Sequence, residues 1–142
     1  MTPEAALVAA RIIEEARRLK TPLNVLPGNY APTSVEEGYQ VQQALHKYLN
    51  THALGRRVGY KIGCTTPVMQ AYLGINHPCA GGILDRYIYH RTAKLSHSQF
   101  VCPGVECEIV ARLGNDIPNN VIKKSEEIEP YVDAVMIGIE IV

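Results

Sequence analysis

The stretch Gly104-Val105-Glu106-Cys107-Glu108-Ile109-Val110-Ala111-Arg112-Leu113 alternates with the period of an extended chain. Side chains at i and i+2 of a β-strand share a face. Glu106, Glu108, Val110 and Arg112 therefore project one way. Val105, Cys107, Ile109, Ala111 and Leu113 project the other way, and that set is entirely apolar. The pattern predicts a core-facing side and puts two carboxylates next to each other on the opposite side. Neighbouring carboxylates repel unless a cation or a proton lies between them. Taken alone, the stretch is also satisfied by water around both acids, as most strand carboxylates are.

The end of the chain repeats the pattern. In Ala134-Val135-Met136-Ile137-Gly138-Ile139-Glu140-Ile141-Val142, one face is Val135, Ile137, Ile139 and Ile141. Glu140 stands on the other face among small and apolar residues. A carboxylate in such surroundings is paired, protonated or bound to a metal, because burying it alone is costly. If this strand lies beside the first, Glu106, Glu108 and Glu140 converge. Three hard oxygen donors with no paired Cys or His suit Mg²⁺ or Mn²⁺. A frayed, solvated Glu140 fits the pattern equally well, and the residues alone leave both readings open.

The preceding chain opens with helices. Thr2-Pro3-Glu4 predicts a helix start, with an N-cap, proline at the first position and an early acid. Leu7, Ala10, Ile13 and Ala16 follow at helical spacing, and Pro22 ends the run. Ser34-Val35-Glu36-Glu37 reads as a capping box. It opens a second helix to about His52, with Tyr39, Val41, Ala44, Leu45 and Tyr48 toward the buried side. Arg57–Gly63 predicts a strand, and Thr66-Pro67 a short helix stopped at Gly74. Asn76–Gly82 reads as a loop, Ile83–His90 as a strand, and Ser125-Glu126-Glu127 as a helix start compromised by Pro130. This order, helices to residue 55 and mostly strands after it, predicts an α+β fold with an N-terminal helical cap.

Lys+Arg and Asp+Glu both number 14, so no net charge argues for a nucleic-acid or anionic-membrane partner. No apolar run approaches the ~20 residues that span a bilayer. Cys64, Cys79, Cys102 and Cys107 include no Cys-x-x-Cys pair, which argues against zinc and for free thiols. An amphipathic, Glu-containing N-terminus is unlike a signal peptide, so a cytoplasmic location is expected. A chain ending inside a strand raises the expectation of truncation.

Several residues outside the two strands are candidates for chemistry. Lys61 lies among Gly59, Ile62 and Gly63, where glycines permit close approach of a ligand; a cation there suits a carboxylate or an enolate. His77, in the Pro/Gly-rich loop, is a candidate general acid–base. Thr65 and Thr66 offer hydroxyl donors to a substrate carboxylate, although Thr66 also serves as the predicted cap before Pro67.

These segments together resemble the fumarylacetoacetate hydrolase superfamily, in particular its 2-keto-4-pentenoate hydratase and 4-oxalocrotonate decarboxylase branch. The resemblance rests on Pro32-Thr33-Ser34 through Gly38-Tyr39-Gln40-Val41-Gln42, and on Gly59-Tyr60-Lys61-Ile62-Gly63-Cys64-Thr65-Thr66. It continues through Met69-Gln70, Leu73-Gly74-Ile75, Glu106-Cys107-Glu108-Ile109 and Ile139-Glu140-Ile141. It implies a helical cap over 1–55 and, over 56–142, the first part of a mixed β-roll, incomplete at the C-terminus. It implies that Glu106, Glu108 and Glu140 ligate Mg²⁺ or Mn²⁺ and that Lys61 is close to the substrate. The implied reaction is addition of water to a small 2-hydroxydienoic or 2-oxo-enoic acid in aromatic-compound catabolism. Decarboxylation or C–C hydrolysis of a 2-oxo acid is the alternative on the same scaffold. A homo-oligomer, or assembly with a related subunit, is the implied state; an inactive, partner-dependent chain is the remaining alternative. Cys79 stands where the hydratases carry an acid.

Overall fold

The computed structural model describes residues 1–119 and 124–142. The chain divides into two compact units, Met1–Gln99 and Phe100–Val142. Compactness thus places a division at 99/100, whereas composition changes from helical to strand-rich at residue 55.

The first unit begins with α1 (Pro3–Leu19) and α2 (Val35–Thr51). Thr2 caps α1 through its hydroxyl, which accepts from the Ala5 N–H at 3.2 Å, and Lys20 ends it in the left-handed region. The buried stripe of α1 is Ala6, Ala9 and Ala10, while Leu7 is exposed. Of the expected stripe, Ala10 is buried and Ile13 packs against the core, while Ala6 and Ala9 take the inner position in place of Leu7. Alanines let α2 approach closely, and Val41, Leu45 and Leu49 fill the space between the helices.

The capping box at α2 closes on one side only. Ser34 Oγ accepts from the Glu37 N–H at 3.2 Å. The Glu37 carboxylate does not return the bond to Ser34. It accepts from the Thr33 N–H at 2.7 Å and the Thr33 hydroxyl at 2.8 Å, and it pairs with the Met1 ammonium.

β1 (Arg57–Gly63) and β2 (Cys79–Leu84) form an antiparallel pair, with α3 (Pro67–Leu73) between them in sequence. β2 corrects the expectation of a loop over Asn76–Gly82 and a strand over Ile83–His90. The chain pairs from Cys79 and turns into a 3-10 helix at Asp85–Tyr87. Its glycines suit it to its neighbours. A Cβ on Gly82 would fall 2.5 Å from the His46 ring, and one on Gly81 would fall 3.0 Å from the Lys61 stem. Leu84 then buries against Ala10, Leu45 and Leu49, fixing the hairpin to the helices.

The second unit is built on β3 (Val105–Leu113) and β4 (Val132–Ile141), also antiparallel. Ser125–Tyr131 is a 3-10 helix rather than the expected α-helix start, consistent with Pro130 inside it. The alternation of both strands is as read. The apolar face, however, is not a core: Ile109 is 83% exposed and its cross-strand partner Ile137 is 86% exposed. Within this unit the described residues form one two-stranded layer, and no second layer covers that face. Both sheets are two-stranded and antiparallel, so the architecture is α+β with small antiparallel sheets. No helix among the described residues is long and apolar enough to cross a membrane.

Candidate metal centre

β3 and β4 pair in a register that puts Glu106 directly opposite Glu140. Glu108 lies two residues along on the same face, opposite Gly138. One carboxylate oxygen from each of Glu106, Glu108 and Glu140 lies within 4.8 Å of the others. Glu108 and Glu140 are half-buried, and Glu106 is exposed. The antiparallel register is what unites acids that are far apart in sequence. Gly104 and Val142 extend the ladder beyond the acids, with N–H···O bonds of 2.8 and 3.1 Å.

Gly138 sets the shape of this face. A Cβ there would lie 2.7 Å from Val110 Cγ2 and 3.8 Å from Glu108 Cβ. Val110 therefore leans over the position where a side chain would otherwise stand beside Glu108. Arg112, on the same strand face by alternation, is engaged by Asp133, with Nε donating at 2.7 Å and Nη2 at 2.5 Å. Cys107 belongs to the opposite set by alternation. Among the described residues the acid face thus offers three hard oxygen donors and no thiolate or imidazole, a donor set suited to a divalent cation such as Mg²⁺.

The other predicted site residues lie in the first unit. Lys61 pairs with Gly81 across the β1–β2 ladder, and its methylene stem covers the glycine. Thr65 and His77 both lie just beyond the Gly63–Cys79 end of that ladder, on either side of α3. His77 is half-buried, and its Nδ1 is 2.9 Å from the Pro78 carbonyl. Thr66 is the N-cap of α3, its Oγ accepting from the Met69 N–H at 3.3 Å. Cys64 takes φ 56°, and its carbonyl accepts from Gln70 Nε2 at 2.9 Å.

Two residues that the motif reading left without a role hold this end of the sheet in place. Ala80 donates its N–H to the Tyr39 hydroxyl at 2.9 Å, and its carbonyl accepts from Gln42 Nε2 at 2.9 Å. Tyr39 and Gln42 are three residues apart on α2, so they present neighbouring donors and acceptors to one peptide. Their i,i+3 spacing was visible in the sequence; their target was not.

No family profile matches the chain. The 2-keto-4-pentenoate hydratase of Paraburkholderia xenovorans (strain LB400) is 32% identical over 146 residues, an alignment covering 100% of this chain and 52% of the hydratase. Over its whole length this chain is therefore similar to a hydratase, in line with the resemblance drawn from its motifs. The 2-oxo-hept-4-ene-1,7-dioate hydratase of Escherichia coli is 29% identical over 104 residues, covering 72% of this chain and 38% of that protein. Among solved structures, 4-oxalocrotonate decarboxylase from Pseudomonas putida G7, complexed with magnesium and adipate, superposes with a TM-score of 0.84 at 21% identity. That match covers 100% of this chain and 53% of the decarboxylase, and it shows a shared fold. The chain spans about half the length of the curated relatives it matches.

Proposed function

We propose that this chain acts as a divalent-metal-dependent lyase of the hydratase type, adding water to a small 2-hydroxydienoic or 2-oxo-enoic acid in the breakdown of aromatic compounds. The observation that carries this reading is the convergence of Glu106, Glu108 and Glu140 across β3 and β4. Hydratase relatives at 29–32% identity support it. Glu106, Glu108 and Glu140 would hold Mg²⁺ or Mn²⁺. Bound there, the ion would supply Lewis acidity and a template for a bidentate 2-oxo acid.

The remaining roles go to the first unit. The Lys61 ammonium would stabilise enolate charge or relay a proton. His77 would serve as a general acid–base, its ring oriented by the Pro78 carbonyl. Thr65 would donate to the substrate carboxylate, as would Thr66 while its oxygen remains the α3 cap. The proposed frame is a mixed β-roll, with 1–55 as a helical cap and 56–142 as the first part of the catalytic roll. A cytoplasmic location accords with the free cysteines.

Calorimetric titration with Mg²⁺ and Mn²⁺ tests the metal assignment. Saturable binding that Glu106→Gln with Glu108→Gln abolishes supports it; binding unchanged in that variant overturns it. Turnover of 2-hydroxypenta-2,4-dienoate, lost in the same variant and in Lys61→Met, tests the reaction. A decarboxylase is the second reading, favoured by the fold shared with 4-oxalocrotonate decarboxylase. Products from 2-hydroxydienoate, oxalocrotonate and an acylpyruvate separate hydration from decarboxylation and C–C hydrolysis. The exposed Ile109–Ile137 face favours association, as a homo-oligomer or with a related subunit, and an inactive chain that requires such a partner. Sedimentation of the purified chain reads this directly.

A further inference from the structure

The first unit carries a second polar site, unrelated to the acid face. An open cleft of about 460 Å³ is lined by Gln43, His46, Lys47, Asn50, Arg56 and Arg57. Every lining side chain can donate a hydrogen bond, and none is a carboxylate. The sequence explains why: residues 38–84, which run from early α2 to the end of β2, contain no Asp or Glu. The acid that follows this stretch is Asp85. It is committed to Arg56, accepting the Arg56 N–H at 2.9 Å and lying 3.8 Å from Nε. Arg57 stacks over the Tyr60 ring at 4.6 Å, which orients its guanidinium without neutralising it. Among the described residues Lys47 has no ion pair.

His46 adds an independent observation. Its Nδ1 is shielded from solvent and has no hydrogen-bond partner among the described residues. The other edge of the ring packs against Gly82. Burial lowers the His46 pKa, and the positive charges of Arg57 and Arg17 lower it further. A polar group buried without a partner calls for a ligand or ordered water.

We propose that this cleft binds a phosphate-class oxyanion, held by Lys47, Arg56 and Arg57 with the amides of Gln43 and Asn50. A tetrahedral dianion matches a surround of donors better than a single carboxylate does, and arginine forks bind it through paired N–H groups. The volume admits a small phosphomonoester as readily as the inorganic ion. The site is built wholly within the first unit, so it does not depend on the metal assignment.

Titration of the 142-residue chain with inorganic phosphate, followed by ¹H–¹⁵N NMR at constant ionic strength, tests the proposal. Saturable shifts of the His46 ring and of the Gln43 and Asn50 side-chain amides are expected. Lys47→Gln with Arg57→Gln weakens binding by about tenfold or more, the loss of a charged hydrogen bond. Arg57→Lys retains more of the binding than Arg57→Gln, and circular dichroism confirms that each variant is folded. A small phosphomonoester run in parallel distinguishes an esterified source from the free ion. The proposal is overturned by shifts that never saturate, by shifts reproduced by chloride, or by phosphate affinity unaltered in the double variant. Tighter binding of a dicarboxylate than of phosphate also overturns it.

Discussion

A methyl group on Gly138 would lie 2.7 Å from Val110 Cγ2, closer than real Cβ contacts come. Gly138 has no left-handed φ, so the requirement is one of space on the acid face. Val110 is β-branched and has few rotamers with which to give way. Gly138→Ala is expected to destabilise the β3–β4 pair by about 1–3 kcal/mol, the usual cost of overpacking. Amide exchange at Ile109 and Ile137 should report it, together with weaker Mg²⁺ binding. Glu37 gives a pH dependence. Its carboxyl is held at about 2, first by the Met1 ammonium and then by the Thr33 N–H and hydroxyl. The ordinary value is 4.5. The folded form therefore binds the proton less readily than the unfolded chain, and the contribution is fully present above pH 4.5. It is lost as pH falls from 4.5 toward 2. Acid titration of helicity should show this loss in the parent chain and a flatter curve over that window in Glu37→Gln. The Ser34 cap is legible in the sequence; the partners of Glu37, which leave the capping box closed on one side only, are not, since Met1 comes from 36 residues away.

At the scale of elements, β1, α3 and β3 have the bounds that the sequence implied, while Cys79–Gly82, the first part of β2, reads as a loop. Gly81 and Gly82 look like turn residues when only neighbours in sequence are considered. In the fold they are the positions over which the Lys61 stem and the His46 ring lie. Those side chains come from β1 and α2, so no local pattern announces the requirement. β2 is also held by α2 through Tyr39 and Gln42, which satisfy both polar groups of the Ala80 peptide. Tyr39→Phe should release the Ala80 N–H, speed its exchange and cost about 0.5–1 kcal/mol, the lower part of the range for a hydrogen bond because this one is exposed. On α1 the departure from the expected stripe is confined to Leu7, for a similar reason. Helical spacing permits Leu7 or Ala6 on the inner side, and the close approach of α2 selects the alanines.

For the whole molecule, metal binding should couple to stability, because the three acids belong to two strands that only the folded chain brings together. An ion that binds the folded form alone adds about 2.7 kcal/mol at a hundred times its Kd. Thermal unfolding should therefore rise with Mg²⁺, fall back with chelator, and stay flat in Glu106→Gln with Glu108→Gln. Alternation by itself determined which residues of β3 and β4 share a face, because that depends only on the geometry of an extended chain. Composition likewise determined the helical start and the strand-rich remainder. Tertiary structure alone decided the register that sets Glu106 directly opposite Glu140 and the exposure of the Ile109–Ile137 face. It alone decided that a stretch without acids folds into a cleft of donors. Each of these depends on register or on neighbours remote in sequence, and a residue's own pattern carries no information about what will be packed beside it.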